Sequence, residues 1–261
     1  MIPSSIASLN QLPQDEKEAI YCRFIPAKLR ERFGFESGFY DEQGRKLLKL
    51  QCEPGSTDVT LELRHMIGAE DPLLYAHFTD TITGQLHILL YMLNDPTSPR
   101  YDVDRMPDGT PTEFGLFHRN LDAELAALRA GLTPGQVRRG LGLLRHSIMT
   151  FEEFVISLGH DIYFVEPLHY HNAIVFERYG FNYQVGRKLM ERIHEGFLSG
   201  GDYFLRLDGS SPFRMPGMDR SVRGRSWAIH DGVLIDPFTD VTMYKLVDRH
   251  AGVSTFPDST W

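Results

Sequence analysis

Cysteine is nearly missing from this chain, with Cys22 and Cys52 the two thiols. Lying in separate segments, they form neither a disulfide framework nor a Cys-x-x-Cys metal motif. The expected setting is therefore reduced and cytoplasmic. Long apolar runs are missing as well: no stretch approaches the roughly 18–20 residues that span a bilayer. The opening residues lack the basic start and apolar segment of a signal peptide. A soluble chain with no membrane partner is expected. Positive charge is in short supply, 27 Lys and Arg against 35 Asp and Glu, for a formal net charge of −8. That balance opposes a main task of gripping nucleic acid. No internal repeat, low-complexity tract, Gly-x-Ser-x-Gly, His-Glu-x-x-His, Walker A or dinucleotide fingerprint is present. What remains is 261 residues, 42% of them hydrophobic, enough for one substantial core.

Residues 1–44 read as an N-terminal helical segment packing on that core, with helical pieces re-aimed at Pro26 and stopped at Gly34. "KLLKLQCE" and "DVTLELRH" then alternate apolar and polar residues, as half-buried strands do, and "LLYAHFTD" and "QLHILLYML" are strand candidates flanking "TITG", where Gly84 supplies a turn residue. Their short connections predict an antiparallel meander, since parallel neighbours need long crossovers. His77 and His87 fall on two arms of one hairpin and are expected to pair across it. Residues 94–120, rich in Pro, Asp and Gly, read as a loop excursion. "LDAELAALRAG" predicts a helix stopped by Gly131. Thr133, Pro134 and Gln136 form a helix-start signature, predicting a second helix from there to Leu158. "DIYFVEPL" reads as a buried strand whose preceding helix makes a parallel crossover. A helix is expected over "YQVGRKLMERIHEGFLSGG", a strand over "DYFLRL", an irregular excursion over residues 200–225, and a strand pair from "SWAIHDGVLID" and "DVTMYKLVD". Residues 45–250 are thus expected as a single domain, and residues 251–261 as a tail.

Two stretches carry a likeness. "RRGLGLLRHSI", residues 138–148, resembles the Arg/Gln-x-x-Gly-x-Gly/Ala loop and following helix of the GNAT superfamily of acyl-CoA-dependent N-acetyltransferases. "HNAIVFERYGF", residues 171–181, is similar to that family's Asn-x-x-Ala…Phe-Tyr-x-x-x-Gly-Phe element. The resemblance covers roughly residues 45–181. It implies an α/β (α+β) fold with a mixed, mainly antiparallel central sheet flanked by helices. It also implies acetyl-CoA or another acyl-CoA as donor, a small-molecule or protein amine as acceptor, and direct attack of one on the other. A homodimer is compatible with it. In such a protein Gly140, Leu141 and Gly142 bring backbone amides to the CoA pyrophosphate at a helix start, with Arg138, Arg139 and Asn172 as further cofactor contacts.

For proton transfer the resemblance places Glu166 and His169 at the cleft as general bases, and Tyr179 as a proton donor. A neutral histidine suits the former task. Phe176 stands where the family's proton-donating Tyr is expected, which keeps a second reading open, a non-catalytic ligand-binding or interaction module. A third reading takes His169 and His171, one residue apart, as a metal-gripping pair on an extended segment. Asn172 is equally suited to capping the following helix. Arg214, Arg220, Arg223 and Arg225 read either as phosphate partners or as solvated loop charges, and His230 with Asp231 as part of a turn.

Overall fold

The alternation of apolar residues in the meander region decides the sheet. The computed structural model describes residues 3–35, 38–112 and 118–261; residues 113–117 of the expected excursion lie outside them. Contacts divide the chain into two compact units: residues 1–98, 140–166 and 244–249 form the first, and residues 99–139, 167–243 and 250–261 the second. A single domain with excursions was expected. The chain leaves the first unit after Ser98 and gathers a second core from segments far apart in sequence. The mixed α/β class with a mainly antiparallel sheet flanked by helices is as expected.

In the first unit, β1 (Leu48–Gln51), β2 (Asp58–Leu63), β3 (Leu74–Asp80) and β4 (Leu86–Leu93) form an antiparallel meander. β5 (Ile162–Val165) adds to β4 in parallel, and β7 (Thr242–Leu246) follows β5 in the order of the sheet. One face of the meander is apolar, with Val59, Leu61, Leu63, Leu74, Ala76 and Phe78 buried. Helices α1 (Ile6–Leu9), α2 (Gln14–Tyr21), α3 (Ala27–Phe33) and α5 (Leu144–Ser157) belong to the same unit. Phe24, in a 3-10 turn after α2, meets Phe78 edge-on at 4.7 Å between ring centroids and Phe154 of α5 at 5.7 Å. Asp80, at the end of β3, accepts the N–H groups of Ile6 and Ala7, fixing the start of α1. The expectation for the N-terminal segment is met in this way: Pro26 stands at the start of α3, and Gly34, at φ +71, ends it.

The second unit holds α4 (Leu121–Arg129), α6 (Tyr170–Arg178), β6 (Asn182–Val185), α7 (Arg187–Gly196), α8 (Asp202–Leu205) and α9 (Val222–His230). Its core gathers Val103, Ala127, Leu132, Phe213 and Trp227. The Trp227 ring stacks on Phe213 at 5.2 Å and its indole N–H donates to Leu132 O at 2.8 Å. Among the described residues no helix is long and apolar enough to cross a membrane.

Several local readings are corrected. The helix expected from Thr133 starts only at Leu144: Gly135 and Gly142 sit at φ +78 and +71, a conformation that interrupts helical winding. "SWAIH" ends helix α9 rather than forming a strand, because Ser221 Oγ caps Gly224 N–H at 3.0 Å and Trp227 is fully buried. "DYFL" is the short helix α8, and "NYQV" at the head of the expected long helix is strand β6. His77 pairs with Leu90 and His87 with Thr79, so the two histidines do not face each other.

Candidate functional site

In the first unit the chemistry gathers where β4 and β5 meet. Their parallel register comprises His87 with Phe164 and Ile88 with Val165, closed by Glu166 N–H donating to Ile88 O at 3.2 Å. β5 ends there, while β4 runs on to Leu93 with β3 on its other side. At the point of parting β4 carries a bulge: His77 pairs with Leu90 and Phe78 with Ile88, leaving Leu89 over. From His87 to Leu93 every residue of this apolar strand stays half-buried, although it lies inside the sheet. The strand thus presents half-buried apolar surface together with peptide groups that β5 does not pair.

The start of α5 lies in the same unit. Ser147 N–H makes the first helical bond, to Leu143 O at 2.9 Å, and no described N–H from Gly140 to His146 donates to a protein acceptor. No acidic residue stands in the first turn and no side chain caps it. These donors, with the positive end of the helix, form an anion-receptive corner. Gly140 approaches β4 closely, since a Cβ there would come within 3.4 Å of Leu93 O. Arg32 reaches this loop, donating to Leu141 O at 3.4 Å and to Asp95 Oδ2 at 3.3 Å. Gly140, Leu141 and Gly142 are therefore brought together before the helix, not inside it; Arg138 and Arg139 belong to the second unit.

Glu166 is exposed at the end of β5. The residue that sequence reasoning passed over is His87. Burial pushes its pKa below the ordinary value, with the Glu166 charge pulling the other way, and its Nε2 is buried without a hydrogen-bond partner. Tyr91, two positions beyond the bulge, has a buried hydroxyl that likewise makes no hydrogen bond; the nearby Ser147 hydroxyl donates instead to Leu143 O. The signal for both was present in the sequence as polar side chains within "HILLYML", but only the parting of the strands gives them meaning.

The remaining predicted residues are in the second unit and form a different arrangement. His169 precedes α6 in extended conformation, and Asn172 Oδ1 accepts its N–H at 3.1 Å, the capping role. His171 is buried between two hydroxyls, Nε2 with Thr133 Oγ1 at 3.0 Å and Nδ1 with Ser226 Oγ at 2.9 Å. The His169 and His171 rings stack at 5.5 Å, and His169 meets His230 at 5.9 Å. Burial holds His169 down to about 4 and His171 well below the ordinary imidazole range, helped by neighbouring histidines. With both His171 nitrogens engaged, the pair does not offer a metal two ligands. Among the described residues no group of three or more His, Cys, Asp or Glu side chains is placed to hold a metal ion.

Beyond His169 runs an ionic chain. His230 Nε2 lies 2.9 Å from Glu124 Oε1, Arg119 donates to Glu124 and to Asp231, and Arg214 donates to Asp231. Burial works to raise the Glu124 pKa, but its bonds to His230 and Arg119 hold it below the usual carboxylate range. The His230–Asp231 pair read as a turn is thus the end of α9 locked into a buried network. Tyr179 ends α6 half-buried. Phe176 packs on Phe181 at 5.0 Å, as an apolar residue should.

Comparison with family models, with curated proteins and with solved structures finds no match for this chain.

Proposed function

We propose that the first unit binds an acyl-CoA along β4 and transfers its acyl group to an amine, as the resemblance to the GNAT superfamily implies. The observation that carries this reading is the parting of two parallel neighbours, β4 and β5, after Ile88 and Val165 while β4 continues half-buried and apolar to Leu93. An amide-containing pantetheine arm can take the place of the missing strand, because its groups match the peptide donors and acceptors β5 leaves behind. The free amides from Gly140 to His146 suit a pyrophosphate, and Arg32 supplies a cation at the same loop.

The chemistry requires an acceptor amine to lose a proton as its nitrogen attacks the thioester carbon, and the departing thiolate to gain one. Glu166 at the end of β5 and His87, near its charge, are the proton acceptors placed at the parting of the strands; a histidine kept neutral by burial is ready for that task. His169 is neutral too, but its ring serves the second unit's stack.

A second reading, a relative that binds acyl-CoA without turnover, is favoured by Phe176, which has no proton to give and packs on Phe181. Titrating the full chain with acetyl-CoA, a longer acyl-CoA and free CoA tests binding through the melting temperature. Thiol release from acetyl-CoA in the presence of a panel of primary amines then separates the readings. Transfer that falls in Glu166→Gln and in His87→Gln supports catalysis; saturable binding with no thiol release supports the binding module.

A further inference from the structure

Residues 251–261, expected as a tail, are seated together with His250 on the second unit in a specific way. The segment enters over Gly180, where a Cβ would come within 2.8 Å of the His250 Cα, and Ala251 N–H donates to Gly180 O at 3.1 Å. At its middle Thr255 gives two hydrogen bonds to one carboxylate, N–H to Glu177 Oε2 at 3.0 Å and Oγ1 to Glu177 Oε1 at 2.7 Å. The next residue, Phe256, lies with its ring 3.5 Å from the Arg225 guanidinium. At its end Thr260 O accepts Val222 N–H at 2.9 Å, and Arg178 donates to Ser259.

What lies underneath is charged. Glu177 and Arg225 are 2% and 3% exposed. Among the described residues Arg225 makes no ion pair with a carboxylate: its Nε donates to Asp219 O, its Nη1 lies 3.2 Å from His194 Nδ1, and the Phe256 and Phe197 rings and the Tyr170 hydroxyl lie beside it. Tyr170 is 1% exposed, and its hydroxyl lies beside the same guanidinium, whose charge works against the rise that burial gives its pKa. A segment that completes a core buries apolar groups on apolar groups. Here only Thr255 and Phe256 are buried, and they serve a carboxylate and a guanidinium. Lifting the segment would leave Glu177 with the Tyr183 hydroxyl alone and strip the aromatic cover from Arg225. Unmet groups of that kind demand replacement by the same chemistry.

From this arrangement we infer that residues 250–261 are a detachable strap in a peptide-docking groove, and that the groove's partner in trans is an extended peptide carrying a hydroxyl residue followed by an aromatic one. Glu177 reads the hydroxyl and the backbone N–H beside it, Arg225 reads the ring, and the backbone of Ser221 and Val222 aligns the far end. Detachment regains the backbone entropy of the strap, and its cost, the contacts of Thr255 and Phe256 to two buried charges, is offset when an incoming peptide supplies the same groups. The inference stands apart from the acyl-transfer reading, since every residue it uses belongs to the second unit.

Native-state hydrogen exchange on the full chain is the first test. The N–H groups of Ala251, Thr255 and Val222 should exchange through a local opening at least a hundredfold faster than those inside α6, with no dependence on low denaturant. The second test adds a fluorescent peptide with the sequence of residues 250–261 to the wild-type chain and to Phe256→Ala. The peptide should bind the variant at least tenfold more tightly than the wild type, whose own strap competes, and a peptide with both Thr255→Val and Phe256→Ala should bind neither. Exchange of the strap together with α6 would overturn the inference. So would a Phe256→Ala chain that fails to fold, because the strap is then core, or one that folds and ignores the peptide.

Discussion

His169 offers a quantitative check on the second unit, through the pH dependence of stability. Its ring is packed round by protein, and a drop from 6.5 to about 4 corresponds to about 3 kcal/mol of preference for the neutral form. Because the folded value lies below the unfolded one, the unfolded chain binds the proton first as pH falls. The contribution is therefore fully present above pH 6.5 and is lost as pH falls toward 4. Between pH 7.5 and 4.5 the loss should be about 2.5 kcal/mol. Carboxylates titrate in the same range, so the wild type alone is uninformative. Replacing the ring by a neutral amide in His169→Gln removes this one titration and leaves the others. Urea unfolding of both chains at half-unit steps should give two stability curves that converge, or cross, as pH falls. His171, shifted the same way and still present in the variant, adds the same slope to both. Parallel curves would refute the idea that burial keeps His169 neutral.

Further expectations concern single contacts. Glu124→Ala leaves His230 and one side of Arg119 without their carboxylate and should cost about 3–5 kcal/mol in urea unfolding. Gly135→Ala places a methyl 2.7 Å from His169 Cε1 at a backbone φ of +78, and should destabilise by about 2 kcal/mol or more. Tyr91→Phe deletes a buried hydroxyl that makes no hydrogen bond, so its melting temperature should equal or exceed that of the wild type.

The meander was legible because β2 and β3 bury alternate residues on one apolar face, where Leu61, Ala76 and Phe78 are all fully buried, and short turns join the strands. The β5 strand and its parallel partner followed from length, since α5 fills the crossover. The failures share a cause: local signals were outvoted by contacts distant in sequence. Thr133 does bond Gln136, N–H and Oγ1 both donating to Oε1, yet Gly135 at φ +78 interrupts the winding, and the same hydroxyl also pairs with His171 Nε2. "SWAIHDG" alternates like a strand, but Trp227 finds Phe213 and Leu132 O only as part of a helix. The second core was not legible because its residues come from far-apart segments, Val103 and Phe213 in stretches that read as irregular, Ala127 in a helix and Trp227 in an expected strand. At the candidate site, the glycine loop and Glu166 could be named from sequence. His87 could not be ranked above other strand histidines, because its orphaned nitrogen depends on where β5 stops.

Isothermal titration of acetyl-CoA and free CoA into the full chain, alongside Gly142→Val, tests the central claim most directly. The variant forces a branched side chain into a left-handed position at the start of α5. Saturable one-to-one binding by the wild type, weakened at least tenfold in a variant that remains folded, is the predicted result. A folded wild-type chain that takes up neither ligand at millimolar concentration would contradict it.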